Sequence, residues 1–353
     1  MKVLYGVQGT GNGHITRARA MAKAMRERNL DVQFLVSGRP KLELFDMEPF
    51  GSYWWREGLT FRSRKGRIIL SETIIRSKPL QLAQDVRELN VSNFDLIITD
   101  YEPITAWAGK LAGVKTLGIG HQYAFAYDIP KINMSLSERL IFQNFAPADH
   151  ALGLHWHHFD EPLLPPIAPV DDIQLPSLGN FILVYLPFES ADDVQCLLHR
   201  FPDQQFIVYH PSAPTETAAN AIWCKPSRVS FPKDLHRCQG VICNAGFELA
   251  AEALQLGKKI LVKPLNKQVE QYCNALALEN LGWGSTMNSL DAEKVSAWLN
   301  NKTHIKLHYP DTAAAVAKYI ENGNFDSYAT LASDLWSKTR LPEQPAKIDS
   351  VAA

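Results

Sequence analysis

Side chains able to do acid–base or ligand chemistry gather at a few points in this chain, each beside a glycine or at the end of an apolar run. "GVQGTGNGHITRARAMAKAM" places His14 directly after Gly11, Asn12 and Gly13. A glycine loop that opens a helix leaves backbone amides free, and the helix dipole adds to them, so such a loop suits a phosphate or another anion. The same glycines also suit a plain tight turn. His14 at the helix start would face whatever the loop holds, and imidazole is the side chain most readily tuned as a general base near neutral pH. "TDYEP" sets Asp100 and Glu102 at the end of an apolar run, and "GIGHQ" sets His121 and Gln122 at the end of the next. Either these are polar strand ends, or they face a cleft. There Asp100 or Glu102 would orient a histidine or act as base, and His121 would meet an acceptor.

A second concentration lies in "ICNAGFELAAEALQLGKKILVKPLNKQVEQYCNALALENLGWG", residues 242–284. "GVIC" reads as a buried strand broken at Asn244-Ala245-Gly246, and "FELAAEALQL" as a helix that Gly257 closes as a C-cap. Gly246 at the helix entry lets a ligand approach the backbone and leaves the first-turn amides for an anion. Glu248 and Glu252 stand four residues apart on one face, where two like charges cost roughly a few tenths of a kcal/mol in an isolated helix. Glu252 is the one placed to accept hydrogen bonds from a diol such as a ribose. Glu270 and Gln271 open the next helix at the end of "KKILVKP". A carboxylate beside an amide binds vicinal hydroxyls well, although acidic residues also decorate first turns for their own sake.

Other readings fall away. The glycine spacing at 9, 11 and 13 misses the dinucleotide fingerprint, and "VQFLVSGRP" ends its strand without the acidic residue that would hold a ribose. No DxD occurs. His155, His157 and His158 in "LHWHHFDE" alternate along a strand, which separates the first two from the third. No metal site is expected. "YWWREGLTFRSRKGRIIL" interleaves Trp54, Trp55 and Phe61 with Arg56, Arg62, Arg64, Lys65 and Arg67. Residues 53–67 read either as a peripheral contact with an anionic membrane surface or phosphorylated acceptor, or as a solvated basic loop.

The elements that must carry these residues alternate. "KVLYGV", a helical stretch and "VQFLVS" are followed by "FDLIITD", "PITAWAGKLAG" and "VKTLGIG", the rhythm of a parallel sheet covered by helices. A proline-rich stretch over 160–180 interrupts it, and "FILVYLP", "QFIVYHP", "GVICNAG" and "KKILVKP" resume it. The fold class expected is α/β, with two Rossmann-like, doubly wound parallel-sheet domains facing across a cleft. The divisions are 1–158, a linker over 159–177, 178–322, a final helix within 323–341 and a frayed end over 342–353. A length of 353 residues accommodates two domains, and 46% hydrophobic with 21% charged residues implies packed cores. The net charge of −1 argues against a nucleic-acid partner. Five scattered cysteines suit a reducing compartment. The opening residues form a strand rather than a secretory signal, and no apolar run reaches membrane-spanning length, so a cytoplasmic protein is expected.

The 242–284 stretch resembles the donor-sugar signature of nucleotide-sugar glycosyltransferases of the GT-B fold, most of all the family 28 group that adds N-acetylglucosamine to lipid-linked peptidoglycan precursors. "GTGNGHITRARAMAKAM" is similar to that group's amino-terminal glycine loop, and the resemblance covers most of the chain. It implies that the first domain is the acceptor side and the second the donor side, with the last helix packing back on the first. It implies diphosphate contacts from the Asn244–Gly246 turn and the amides of Gly246 and Phe247, ribose contacts from Glu252, and donor-sugar contacts from Glu270 and Gln271. Phe231 resembles the aromatic that packs on a uracil, which favours a UDP-sugar as substrate, with no cofactor. His14 and the Gly11–Gly13 loop would face the reacting centre, with His14, then Asp100 or Glu102, as base in a metal-independent, inverting transfer to a glycan or lipid-linked hydroxyl. Glu248 stands where hydroxyl residues are usual, and Glu270-Gln271 where Asp-Gln or Gln-Gln is usual. A sugar-nucleotide 2-epimerase on the same fold and a non-catalytic nucleotide-sugar binding protein are the alternatives.

Overall fold

The computed structural model describes residues 1–59, 79–168 and 178–342, with the backbone of 63–64 and 67–68. Phe61, Arg62, Lys65, the side chains of Arg64 and Arg67, residues 169–177 of the expected linker and nearly all of the expected frayed end lie outside the described residues.

The amino-terminal half is built on β1 (Lys2–Gln8), α1 (Asn12–Glu27), β2 (Asp31–Ser37) and the short β3 (Trp54–Trp55). A two-residue antiparallel pair, β4 (Ser63–Arg64) and β5 (Arg67–Ile68), precedes α2 (Pro79–Glu88). Then come β6 (Leu96–Asp100), α3 (Pro103–Ala112), β7 (Thr116–Gly120), α4 (Leu136–Asn144) and β8 (His150–Gly153). The sheet runs β3-β2-β1-β6-β7-β8, with every pairing parallel. Its central strands are near-continuous apolar runs, as a sheet covered on both faces requires. β1 is buried from Val3 to its end.

The carboxy-terminal half repeats the plan. β9 (Ile182–Tyr185), α5 (Ala191–Leu198), β10 (Phe206–Tyr209), β11 (Ala221–Cys224), α6 (Ser230–Arg237), β12 (Gly240–Asn244), α7 (Phe247–Gln255), β13 (Lys259–Lys263), α8 (Val269–Asn280), β14 (Ser285–Thr286) and α9 (Ala292–Asn300) form a parallel sheet ordered β11-β10-β9-β12-β13-β14. In each sheet the strand order reverses beside the first strand, which opens a crevice at the strands' carboxyl ends. Both crevices face the boundary between the halves.

One apolar cluster runs through both halves, from Val3 and Ile98 through Trp156 and Phe247 to Leu183 and Val241. Two further helices, α10 (Thr312–Asn322) and α11 (Tyr328–Lys338), close the chain. α10 lies against α1, with Glu321 accepting from Arg28 at 2.5 Å, so the return to the amino-terminal half begins before residue 323. Trp336 on α11 donates its indole N–H to the Leu163 carbonyl at 2.6 Å. All five cysteines are free thiols. No helix among the described residues is long and apolar enough to cross a membrane.

Candidate active site

The parallel register of β1 with β6 pairs Val7 with Asp100 and so sets Asp100 beside the turn that leaves β1. That turn enters α1 at Gly11, an extended N-cap whose helix start carries no side-chain cap. His14, in the first turn, meets Asp100 at 2.7 Å from Nδ1 to Oδ1. A carboxylate only accepts, so with the Nδ1 proton toward Asp100 the basic nitrogen is Nε2; Arg17 Nη2 also lies 2.9 Å from Nδ1. Nε2 has no hydrogen-bond partner among the described residues, and the side chain is 16% exposed. One turn on, Arg17 donates from Nε to Asp100 Oδ2 at 2.9 Å and from Nη2 to Oδ1 at 2.5 Å. Burial alone would push the Asp100 carboxyl up, but Arg17 and then His14 outweigh it and hold its pKa below the ordinary carboxylate value.

Across the boundary, β12 ends at Asn244 and α7 begins after Gly246, again with no side-chain cap on its first amides. A Cβ at Gly246 would meet nothing within 4 Å, so the approach to those amides is open. Asn274 on α8 fixes the turn by donating to the Ala245 carbonyl at 2.9 Å. Beside this helix start lies a cleft of 540 Å³ lined by Phe231, Glu252, Glu248, Tyr185, Asn12 and Gly13 among others. Phe231 stands edge-on to Tyr185 and Tyr209, with centroids at 5.3 and 5.1 Å. Asn12 donates to the Tyr185 hydroxyl at 3.1 Å and accepts from Arg39 at 2.9 Å, tying the glycine loop to the opposite half. Glu270 receives the Gln122 amide at 3.2 Å on both oxygens, a second bridge across the boundary.

Several expected site residues are used otherwise. Glu102 is fully buried as the N-cap of α3: it accepts from the Ile104 and Thr105 amides and from the Ser37 and Thr105 hydroxyls at 2.7–2.9 Å. It does not reach the cleft as a base. His121 is 1% exposed, with Nδ1 on the Leu154 carbonyl at 2.9 Å and Nε2 on Asn274 at 2.6 Å, and its ring stacks on Phe247 at 4.1 Å. Both nitrogens are occupied, so it packs the boundary rather than meeting an acceptor; burial lowers its pKa. Gln271 is buried and its carbonyl oxygen caps the Leu265 amide at 2.9 Å, so it faces the turn after β13 instead of a sugar. Asn244 donates to the Lys263 carbonyl at 3.0 Å and to Glu189, away from the cleft. The Phe247 side chain is likewise core, and its carbonyl accepts from Trp156 at 3.2 Å.

Arg17 is the residue that the sequence reading passed over. "ITRARAM" looks like a charged helix face, yet position 17 falls on the stripe of Ile15, Ala18, Met21 and Met25 that α1 buries. An arginine on an apolar stripe needs a buried carboxylate, and that mismatch is the signal. Of the basic-aromatic stretch, Trp55 donates to the Arg39 carbonyl at 2.9 Å, Arg56 lies 3.8 Å from Asp85, and Trp54 is exposed.

A family model described as glycosyl transferase family 1 matches residues 1–302. No curated protein matches the sequence. Among solved structures, the spinosyn rhamnosyltransferase SpnG is similar over 95% of this chain and 97% of its own, at 13% identity and a TM-score of 0.59. The calicheamicin glycosyltransferase CalG4 is similar over 96% and 98%, at 13% identity and a TM-score of 0.55. The glycosyltransferase VinC in complex with dTDP is similar over 96% and 99%, at 12% identity and a TM-score of 0.53. At such identities the likeness is one of fold, and it covers both sheets: the architecture is GT-B.

Proposed function

Because the chain belongs to glycosyl transferase family 1 and is therefore a glycosyltransferase, we propose that it moves a sugar from a pyrimidine nucleoside diphosphate, read as UDP, to an acceptor hydroxyl by one inverting displacement. The observation that carries this reading is the His14–Asp100 pair at 2.7 Å, whose neighbour Arg17 reaches the first turn of the uncapped α7 through Glu248.

In this reading the base packs on Phe231 and the ribose hydroxyls bond to Glu252. The diphosphate meets the amides after Gly246, where the helix dipole favours an anion. Glu270 is read as the donor-sugar residue, and binding a sugar there requires it to exchange the Gln122 amide for a sugar hydroxyl. His14 Nε2 takes the proton of the acceptor hydroxyl as that oxygen attacks the anomeric carbon from the face opposite the diphosphate. The bond from the anomeric carbon to the diphosphate oxygen breaks, and the electron pair leaves with the diphosphate. Asp100 holds the ring and faces the charge that forms on it, and the fixed amides of α7 stabilise the departing anion without reorganising. The α7 amides carry the compensation for the diphosphate, so the step as drawn requires no metal. The acceptor is read as a glycan or lipid-linked hydroxyl.

Neighbouring structures hold thymidine diphosphate in SpnG and dTDP in VinC, and an aromatic packing on the base does not by itself separate uracil from thymine. Thermal melts against UDP-, dTDP- and GDP-sugars test the assignment, since a ligand that binds only the folded chain raises its melting temperature. A UDP-sugar is expected to give the largest shift. A shift from GDP-sugars alone, or from none of the panel, overturns the donor assignment.

A further inference from the structure

We propose that Glu248 is a positioning residue: reaching from the donor-side helix, it holds Arg17 and so completes the His14–Asp100 assembly only when the two halves are closed. The inference rests on His14 as base and adds a residue to that reading.

A carboxylate in the first turn of the helix that should meet a diphosphate is out of place unless it has another use. Its use is visible. Glu248 does not cap α7; its Oε1 instead accepts from Arg17 Nη1 on the opposite half. Its Oε2 passes over Gly13 so closely that a Cβ there would lie 2.4 Å away, so an alanine at 13 has to displace the end of this carboxylate. Arg17 is 1% exposed and divides its donors, with Nε and Nη2 on Asp100, Nη2 also 2.9 Å from His14 Nδ1, and Nη1 on Glu248. With Glu248 withdrawn, a buried N–H edge of Arg17 loses its acceptor, and one carboxylate is left to serve both Arg17 and His14. With Glu248 in place the cluster holds one guanidinium and two carboxylates. The imidazolium formed when His14 takes a proton then completes a balanced set instead of adding an excess cation. Closure of the cleft and readiness of the base are thereby the same event.

The test is Glu248→Gln, which keeps the shape and removes the charge. A fall in kcat of about tenfold or more is expected. Calorimetry with UDP alone should show binding about two- to fivefold tighter, because the carboxylate no longer opposes the diphosphate at the helix start. A merely structural role predicts the opposite sign, weaker UDP binding with a lower melting temperature. Gly13→Ala, which pushes the carboxylate off Arg17 while leaving Glu248 in the chain, should also lower kcat, and it stands in if Glu248→Gln does not fold. Turnover within twofold of the parent in either variant, or weaker UDP binding in Glu248→Gln, overturns the proposal. If His14→Gln keeps full turnover, the reading of the base itself has failed. If His14→Gln is inactive while Glu248→Gln is fully active, only the role of Glu248 has failed.

Discussion

The guanidinium of Arg17 meets the carboxylate of Asp100 at two points, Nε to Oδ2 at 2.9 Å and Nη2 to Oδ1 at 2.5 Å, and both side chains are buried. Asp100 is thus held ionised by one neighbour while it orients another, His14. A carboxylate shared between a fixed cation and an imidazole serves as a rigid orienter, because its own protonation is suppressed.

His14→Gln should remove the base and leave nucleotide binding intact. We expect kcat to fall by roughly 10²–10⁴-fold, with the dissociation constant of UDP within twofold of the parent. Steady-state rates and calorimetry on the same preparation separate the two quantities, and undiminished turnover assigns the base elsewhere.

Asp100 should also shape the acid stability of the fold. Its folded pKa lies below the unfolded value, so its contribution is present above roughly pH 4 and is lost as the pH falls through the folded pKa. Glu102 has the opposite sign: burial, though opposed by its hydrogen bonds, raises its carboxyl, so its contribution declines as the pH rises from roughly 4 toward the folded pKa. Urea unfolding between pH 3 and 6 should show a shallower acid loss for Asp100→Asn and a steeper one for Glu102→Gln. Equal slopes in the two variants contradict the assignment.

Glu102→Ala should affect folding and not chemistry. It leaves the Ile104 and Thr105 amides and two hydroxyls without their acceptor inside the protein, at a cost of about 1–3 kcal/mol. Denaturant midpoints should fall accordingly, while turnover per folded molecule stays near the parent value. A large loss of turnover at full folding would return Glu102 to the list of bases.

Glu252→Ala should weaken UDP binding by about 1–3 kcal/mol if a ribose hydrogen bond is lost. The loss should be smaller for dTDP, which lacks the 2′-hydroxyl. Equal losses for both nucleotides move the contact to another part of the ligand, and unchanged UDP affinity removes it.

Much of this molecule is legible from local pattern. The alternation of apolar runs with 3.6-residue periodicity announces two parallel sheets, because a strand covered on both faces has to be apolar throughout. The glycines at 11, 13 and 246 announce helix starts free of side-chain caps. Polar residues at strand ends mark the crevices, since in such sheets these ends are where the chain turns outward. That logic points His14, Asp100 and Glu252 toward one boundary, while Phe231 entered only through the resemblance to GT-B glycosyltransferases.

What local pattern leaves open is which of several similar groups is still available. Asp100 and Glu102 are two residues apart on one strand end, yet one meets an imidazole and the other is consumed in capping α3. Glu270 and Gln271 are adjacent, yet the helix turns one toward Gln122 and the other toward the Leu265 amide. Such choices depend on partners brought in from far along the chain: His14 and Asp100 are 86 residues apart, Arg17 and Glu248 231. Local pattern is enough to set the sheets, the turns and the kinds of chemistry on offer. Only the packing of the two halves decided which carboxylate faces the base, because a buried charge is placed by the partner that neutralises it, and periodicity carries no record of that partner.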